Sequence, residues 1–158
     1  MKQILICFLI LSNFLSYSQT QMACDRSSDS SELVKFYQNF NGNQWNIRTN
    51  WLVPGKPMST WSGILLDASG CIEVINLDRN KLNGVIFDFN FPSLRKLNID
   101  YNKIRGTIPD FTKLSELNLL NLAHNELTES IPNYFSLAKL TNLDLANNLL
   151  DDSITLIK

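Results

Sequence analysis

Four asparagines recur at a spacing of 22 or 23 residues in the second half of the chain, and the same apolar pattern surrounds each of them. Counted from the asparagine, apolar residues stand eight, five and three positions before it and two positions after it. A fixed period of this length is typical of a solenoid, in which successive coils stack and share one continuous core. The four asparagines are Asn80, Asn102, Asn125 and Asn148.

Within each coil, the residues before the asparagine alternate between apolar side chains and side chains of other kinds. A period of two predicts a short β-strand that points its apolar residues into the core and the residues between them to the opposite face. We therefore expect short parallel strands that line a concave surface. The predicted core residues are Ile75 and Leu77, Leu97 and Ile99, Leu120 and Leu122, and Leu143 and Leu145.

The recurring asparagines are predicted to be structural. An asparagine amide both donates and accepts hydrogen bonds, so it can satisfy backbone groups of adjacent coils that would otherwise be buried without a partner. We expect this role for Asn80, Asn102, Asn125 and Asn148.

A helix is predicted ahead of the repeats, at about residues 30–40. Asp29 and Glu32 have the spacing of a capping box, and Leu33 and Phe36 begin an apolar stripe on one face. Such a face needs a partner, and the N-terminal end of a repeat stack exposes core residues unless something covers it. We therefore predict that the helix caps the stack.

Three tryptophans, Trp45, Trp51 and Trp61, follow the helix. Beyond them, residues 64–66 and 71–77 are separated by a turn sequence and predict a β-hairpin whose second strand continues into the first repeat. The tryptophans either form a platform for carbohydrate or fill the core of the cap. Packing is the favoured interpretation, since they lie next to an amphipathic helix.

These observations also support a resemblance to a known family, carried by five short strings. They are Glu32-Leu33-Val34, Asn41-Gly42-Asn43-Gln44-Trp45, Thr49-Asn50-Trp51-Leu52, Trp61-Ser62-Gly63-Ile64 and Cys71-Ile72-Glu73-Val74. The strings resemble the N-terminal cap of plant-type leucine-rich-repeat proteins, especially the version in secreted bacterial surface proteins. The resemblance implies a right-handed α/β solenoid of leucine-rich repeats, capped at its N-terminus by a helix and a β-hairpin.

The chain departs from the plant pattern in two ways. The first limits what the resemblance implies, and the second favours a bacterial origin. Leu66 stands where many plant caps have a cysteine, so their disulfide pattern does not transfer to this chain. The chain also lacks Asn-x-Ser/Thr acceptors for N-glycosylation, which plant extracellular members usually carry.

The first residues predict export. Lys2 precedes an apolar run that ends in small residues near Ser18, which is typical of a signal peptide over residues 1–18. The run is shorter than the roughly 20 apolar residues that span a bilayer, so a membrane-spanning helix is disfavoured. The predicted organisation is a signal peptide at 1–18, a cap at 19–70 and four repeats at 71–158, in a secreted or cell-surface protein.

Two cysteines, Cys24 and Cys71, remain after cleavage, in a compartment that permits disulfides. They either pair or stay as separate thiols, since sequence alone does not show whether they approach within bonding distance.

Composition and motifs disfavour several functions. The net charge is −1 and the charges are interspersed, which predicts no nucleic-acid binding. With His124 as the one histidine, a two-histidine metal motif is ruled out, and the sequence contains no nucleophile elbow or phosphate-binding loop. We therefore predict no catalytic residues, no metal and no cofactor.

The concave surface is the predicted binding site, because it is the broad surface whose side chains the fold does not require. We predict a non-catalytic module that binds a protein or a glycan there. The alternatives are an inhibitor of an extracellular hydrolase and the N-terminal part of a larger receptor or adhesin. The predicted ligand-binding residues are Arg79, Lys96, Asn98, Asp100, Tyr101, Asn121, His124 and Asp144.

No polar cap follows the last repeat in this sequence, so Leu140, Leu143, Leu150 and the last strand edge are expected to be available for pairing. Either the chain continues in a longer protein or a second copy covers this end. Light scattering after size-exclusion chromatography separates the two, since a monomer at all concentrations argues against self-association.

Overall fold

The computed structural model describes residues 26–154. The predicted signal peptide, residues 1–18, and Cys24 lie outside the described residues. The described chain is a right-handed solenoid of stacked coils behind a helix and a β-hairpin, which confirms the predicted fold class.

After the helix and the first strand, strands on the concave side of the coils alternate with strands on the opposite side, which we call return strands. The elements are the helix α1 (Arg26–Asn39) and the strands β1 (Ile64–Leu66), β2 (Ile72–Asn76), β3 (Asn83–Val85), β4 (Lys96–Asn98), β5 (Lys103–Thr107), β6 (Leu119–Asn121), β7 (Glu126–Ile131), β8 (Asn142–Asp144) and β9 (Leu149–Ile154).

The concave sheet has the strand order β1-β2-β4-β6-β8. β1 pairs antiparallel with β2, as the predicted hairpin requires, and the later neighbours pair in parallel. The register places Ile75, Leu97, Leu120 and Leu143 in one row. The first three are fully buried, whereas Leu143 is 44% exposed because no described residue lies beyond β8 to cover it.

A second parallel sheet, with the order β3-β5-β7-β9, forms on the return side of the coils. The sequence pattern predicted strands only on the concave side of the coils, so it did not predict this second sheet. Glycine, asparagine, lysine and glutamate have low strand propensity, so the segments do not look like strands one at a time. Stacking supplies the partners: the Lys103 N–H donates to the Leu82 carbonyl at 2.8 Å, and the Ile86 N–H donates to the Arg105 carbonyl at 2.9 Å.

Helix α1 covers the N-terminal end of the stack. Its residues Leu33 and Phe36 are fully buried, and the Phe36 ring lies 5.2 Å from the Phe89 ring, centroid to centroid. The end of the helix approaches β3 closely. A Cβ atom at Gly84 would stand 2.1 Å from the Asn39 carbonyl oxygen, so only glycine fits at this contact.

The predicted capping box is wrong. Within the described residues α1 begins at Arg26, so Asp29 and Glu32 lie inside the helix, and both are buried. Each carboxylate instead accepts a backbone hydrogen bond from the repeats. Asp29 accepts from Ile72 N at 2.9 Å, and Glu32 accepts from Asn90 N at 3.2 Å. The two acids therefore attach the cap to the stack.

The three tryptophans fill the core of the cap. Trp45, Trp51 and Trp61 are between 4% and 6% exposed, and each indole N–H donates to a backbone carbonyl within 3.2 Å. The packing interpretation is therefore correct, and no tryptophan platform is available to carbohydrate.

Cys71 is buried and disulfide-bonded. Its predicted partner, Cys24, lies outside the described residues, so this pairing stays a prediction.

The recurring asparagines connect successive coils. The Asn102 side-chain oxygen accepts from Asn80 N at 3.0 Å and Leu82 N at 2.9 Å, while its amide nitrogen donates to the carbonyls of Leu77 and Ile99 at 3.0 Å. Asn125 repeats this pattern one coil later. Its oxygen accepts from Ile104 N at 3.0 Å, and its nitrogen donates to carbonyls of its own coil and of the preceding one.

Asn80 has a different partner because no repeat precedes it. Its side-chain oxygen accepts from Ile47 N at 2.6 Å, and its nitrogen donates to the Ile47 carbonyl at 2.8 Å. The contact that joins one coil to the next thus joins the first coil to the loop of the cap.

We predict that Asn125→Ala lowers the free energy of unfolding by about 1–3 kcal/mol, because it leaves buried backbone groups without partners. Urea denaturation followed by circular dichroism measures the loss. The matched control is Asn43→Ala, at an exposed asparagine of the cap, which should leave stability nearly unchanged. Equal stability of the two variants would contradict the structural role of Asn125.

Candidate functional site

The concave surface consists of the outward side chains of strands β2, β4, β6 and β8. It also includes, in each coil, the two residues between the last core residue of the strand and the structural asparagine. Parallel register arranges these side chains in four columns that cross the strands. The columns are Val74, Lys96, Leu119 and Asn142; Asn76, Asn98, Asn121 and Asp144; Asp78, Asp100, Ala123 and Ala146; and Arg79, Tyr101, His124 and Asn147.

The structure distributes the eight predicted ligand-binding residues over all four columns. Lys96 and Asp144 are exposed, while Asn98, Asn121 and Asp100 are half-buried. Neighbouring amides in the second column bond to each other, since Asn98 Nδ2 donates to Asn76 Oδ1 at 3.1 Å. Arg79, Tyr101 and His124 share the fourth column, and these three are in direct contact.

We call the fourth column the turn column: Arg79, Tyr101, His124 and Asn147. Each member directly precedes a structural asparagine and has a left-handed backbone, with φ between 50° and 55°. This conformation is unfavourable for a residue with a side chain, yet the coil must turn here from the concave strand to the return strand. The shared backbone geometry points the four side chains in one direction, one above another.

The turn column forms a continuous stack. The Arg79 guanidinium carbon lies 3.6 Å from the centroid of the Tyr101 ring. The Tyr101 and His124 rings are nearly parallel, with centroids 3.8 Å apart. Asn147 Nδ2 lies 3.1 Å from His124 Nε2, within hydrogen-bond distance. Cation–π and ring stacking therefore hold Tyr101 between its two neighbours.

Asp100 directly precedes Tyr101 in the chain, and its surroundings disfavour the charged form of its carboxyl group. Burial raises its pKa above 3.8, and the neighbouring Asp78 carboxylate raises the pKa further. Arg79, His124 and a hydrogen bond from Asn121 act in the opposite direction without cancelling the increase. This part of the concave surface thus places two carboxylates, Asp78 and Asp100, beside the guanidinium group of Arg79.

A hollow of about 400 Å³ lies where the cap meets the concave surface, and the repeat pattern does not predict it. We call it the cap hollow and define it by Ile47, Leu65, Val74, Asn76 and Asp78. Ile47 comes from a polar loop and Leu65 from the outward face of β1, so neither belongs to the repeat pattern. The available signal was that these two large apolar residues do not belong to any repeat or to the apolar face of the helix.

Within residues 26–154, no group of three or more histidine, cysteine, aspartate or glutamate side chains is placed to hold a metal ion. In this same part of the chain, no helix combines the length and the apolar character needed to cross a membrane.

Comparison with known proteins agrees with the geometry. Residues 92–150 match a family model described as Leucine rich repeat. These residues are leucine-rich repeats. No curated protein matches the sequence of the chain. The similarity of residues 32–74 to the cap of secreted bacterial surface proteins stays a prediction, as does the bacterial origin.

Solved structures with the same fold include plant receptors. The repeat chain in the PEPR1–AtPEP1 crystal structure is 25% identical over 78% of this chain, with a TM-score of 0.67. This chain spans 18% of that one. A chain of the BIR3–SERK2 complex from Arabidopsis thaliana is 24% identical, with 74% of this chain and 69% of that chain covered and a TM-score of 0.62.

The ectodomain of the receptor kinase SOBIR1 from Arabidopsis thaliana is 23% identical, with 78% of this chain and 68% of that chain covered and a TM-score of 0.62. This likeness shows the fold.

We predict that Asp100→Asn raises the melting temperature at pH 7. Because the pKa of Asp100 is higher in the folded chain than in the unfolded chain, the carboxylate destabilises the fold above the folded pKa. The gain should disappear below the unfolded value of 3.8, where both states are protonated. Thermal unfolding between pH 3 and pH 7 measures both effects.

The control for this experiment is Glu126→Gln, which removes one negative charge at an exposed residue of the second sheet. A gain for Asp100→Asn that persists unchanged at pH 3 would show that its cause is not the charge.

Proposed function

We propose that this chain is an exported, non-catalytic module that binds a protein ligand through its concave surface. The proposed contact residues are eight exposed or half-buried members of the columns: Arg79, Lys96, Asn98, Asp100, Tyr101, Asn121, His124 and Asp144. The leucines and the structural asparagines hold the coils together, so this surface can carry a binding specificity without cost to the core.

The observation that carries the proposal is the stack of Arg79, Tyr101 and His124. A ring has two faces, and contacts of 3.6 Å and 3.8 Å to the ring centre occupy both faces of Tyr101. A sugar that stacks on an aromatic ring needs a free face, which Tyr101 does not offer. Tyr101 is 40% exposed as a residue, and an exposed tyrosine with an adjacent guanidinium suits a protein interface.

The comparisons support the choice of a protein ligand. PEPR1 is named in a structure together with AtPEP1, and BIR3 in a complex with SERK2. Export is supported by the signal-peptide pattern of residues 1–18 and by the disulfide at Cys71, since disulfides persist in oxidising compartments.

The test is capture of binding partners by the mature chain, residues 19–158, from surface proteins of its own cells, followed by measurement of affinity for each partner. We expect the double variant Tyr101→Ala, Asp100→Ala to weaken binding about tenfold or more, because it removes a central ring and a partly desolvated charge. The matched control is Lys103→Ala, Glu126→Ala, at exposed residues of the second sheet.

Binding that survives the double variant, or that is lost equally in the control, would contradict the concave site. If a glycan array captures the mature chain and no protein partner is found, the ligand is a glycan rather than a protein. If the chain turns over a substrate, and Tyr101→Ala and His124→Ala abolish this activity, the non-catalytic assignment is wrong.

A further inference from the structure

The cap hollow contains apolar side chains that the fold holds in place but does not bury. Ile47 and Leu65 are 60% and 61% exposed, although large apolar side chains usually gain free energy by leaving water. Leu65 pairs with Val74 across the β1–β2 hairpin, so these two side chains lie side by side on the concave surface. Together with Ile47 they form the apolar wall of the hollow.

The backbone around this wall is fixed independently of its side chains. Both backbone groups of Ile47 bond to the Asn80 amide, at 2.6 Å and 2.8 Å, and Leu65 is paired within β1 and β2. The hollow is therefore preformed, so a ligand does not have to order the loop in order to bind, and less free energy is lost on binding.

The rest of the hollow's lining is largely polar and includes a carboxylate. Asn76 and Asp78 belong to it, and Asp100 is close enough to Asp78 for the two carboxylates to repel each other. Arg79 neutralises this pair only in part. Its Nε forms an ion pair with Asp78 Oδ2 at 4.0 Å, but its guanidinium group is also stacked on Tyr101, and one cation stands against two carboxylates.

We propose that the cap hollow binds an extended segment of the partner protein, in which an apolar side chain fills the wall of Ile47, Leu65 and Val74 and an adjacent lysine or arginine pairs with Asp78 and Asp100. The inference rests on the proposed function and names the chemistry of the partner. Charge complementarity selects a cation beside the apolar group, because an acidic segment would meet two carboxylates.

The experiment is an NMR titration of the ¹⁵N-labelled mature chain with acetyl-leucyl-arginine amide, up to about 20 mM, since a ligand this small is expected to bind in the millimolar range. Matched probes are acetyl-leucyl-glutamate amide and acetyl-seryl-arginine amide. We expect amide shifts centred on Ile47, Leu65, Val74 and Asp78. The seryl probe should bind roughly fivefold more weakly and the glutamate probe about two- to fivefold more weakly.

Two variants separate the apolar and charged contributions. Leu65→Ser should weaken binding of the leucyl-arginine probe, whereas Asp78→Asn, which leaves Asp100 in place, should reduce the preference for arginine over glutamate and retain the preference for leucine over serine. Both positions are exposed or half-exposed, and the dispersion of each variant's spectrum shows whether it is folded. Absence of shifts at the hollow, or equal affinity for all three probes, would overturn the proposal.

The result is distinguishable from failure of the proposed function. If the probes do not bind but the Tyr101 and Asp100 double variant still abolishes partner capture, only the inference about the hollow is wrong. If the probes bind at the hollow and partner capture does not depend on the concave surface, the proposed function is wrong.

Discussion

The hydrogen bonds of the recurring asparagines are the interaction on which the rest of this structure depends. Each coil turns sharply after its concave strand, and the residue before the asparagine takes a left-handed backbone that costs about 1–2 kcal/mol for a residue with a side chain. The Asn102 amide donates to the carbonyls of Ile99 and Asp100, the two residues before Tyr101, and so holds the chain in this conformation. The stack of leucines supplies burial, and the asparagines fix the register.

The same turn creates the most distinctive feature of the concave surface. Because Arg79, Tyr101 and His124 occupy equivalent left-handed positions, their side chains leave the coils in parallel and meet at stacking distance. The turn that each structural asparagine stabilises thus also orients the side chain of the residue before it. At the N-terminal end, Asn80 bonds to Ile47 in place of a preceding coil, which positions one wall of the cap hollow.

The periodic part of the molecule could be predicted from the sequence, because each core position repeats and each repeat faces the same neighbours. Leu97, Ile99, Leu120 and Leu122 are fully buried as expected, and the hairpin of residues 64–76 has the predicted pairing. Other features depend on contacts between distant segments. Local spacing predicts that Asp29 caps the helix, but its carboxylate accepts a hydrogen bond from the Ile72 N–H, 43 residues away. The second sheet exists only when coils stack, since its segments have weak strand propensity.

The candidate site was only partly predictable for the same reason. Alternation identifies which residues face outward, and all eight predicted residues lie in the four columns. It does not show that Tyr101 is enclosed between two neighbours, because this depends on a backbone conformation that the pattern does not encode. Nor does it show the cap hollow, whose residues come from a loop, a hairpin and the first repeat.

Backbone amide hydrogen exchange, measured residue by residue by NMR on the mature chain, tests the central claim most directly. The amides of Leu82, Ile104 and Leu127 each donate to the side-chain oxygen of an asparagine in the following coil. If these bonds hold the solenoid together, the three amides exchange as slowly as the core strand amides of β4 and β6, through cooperative opening. Exchange as fast as that of exposed cap residues such as Asn43 would contradict the account.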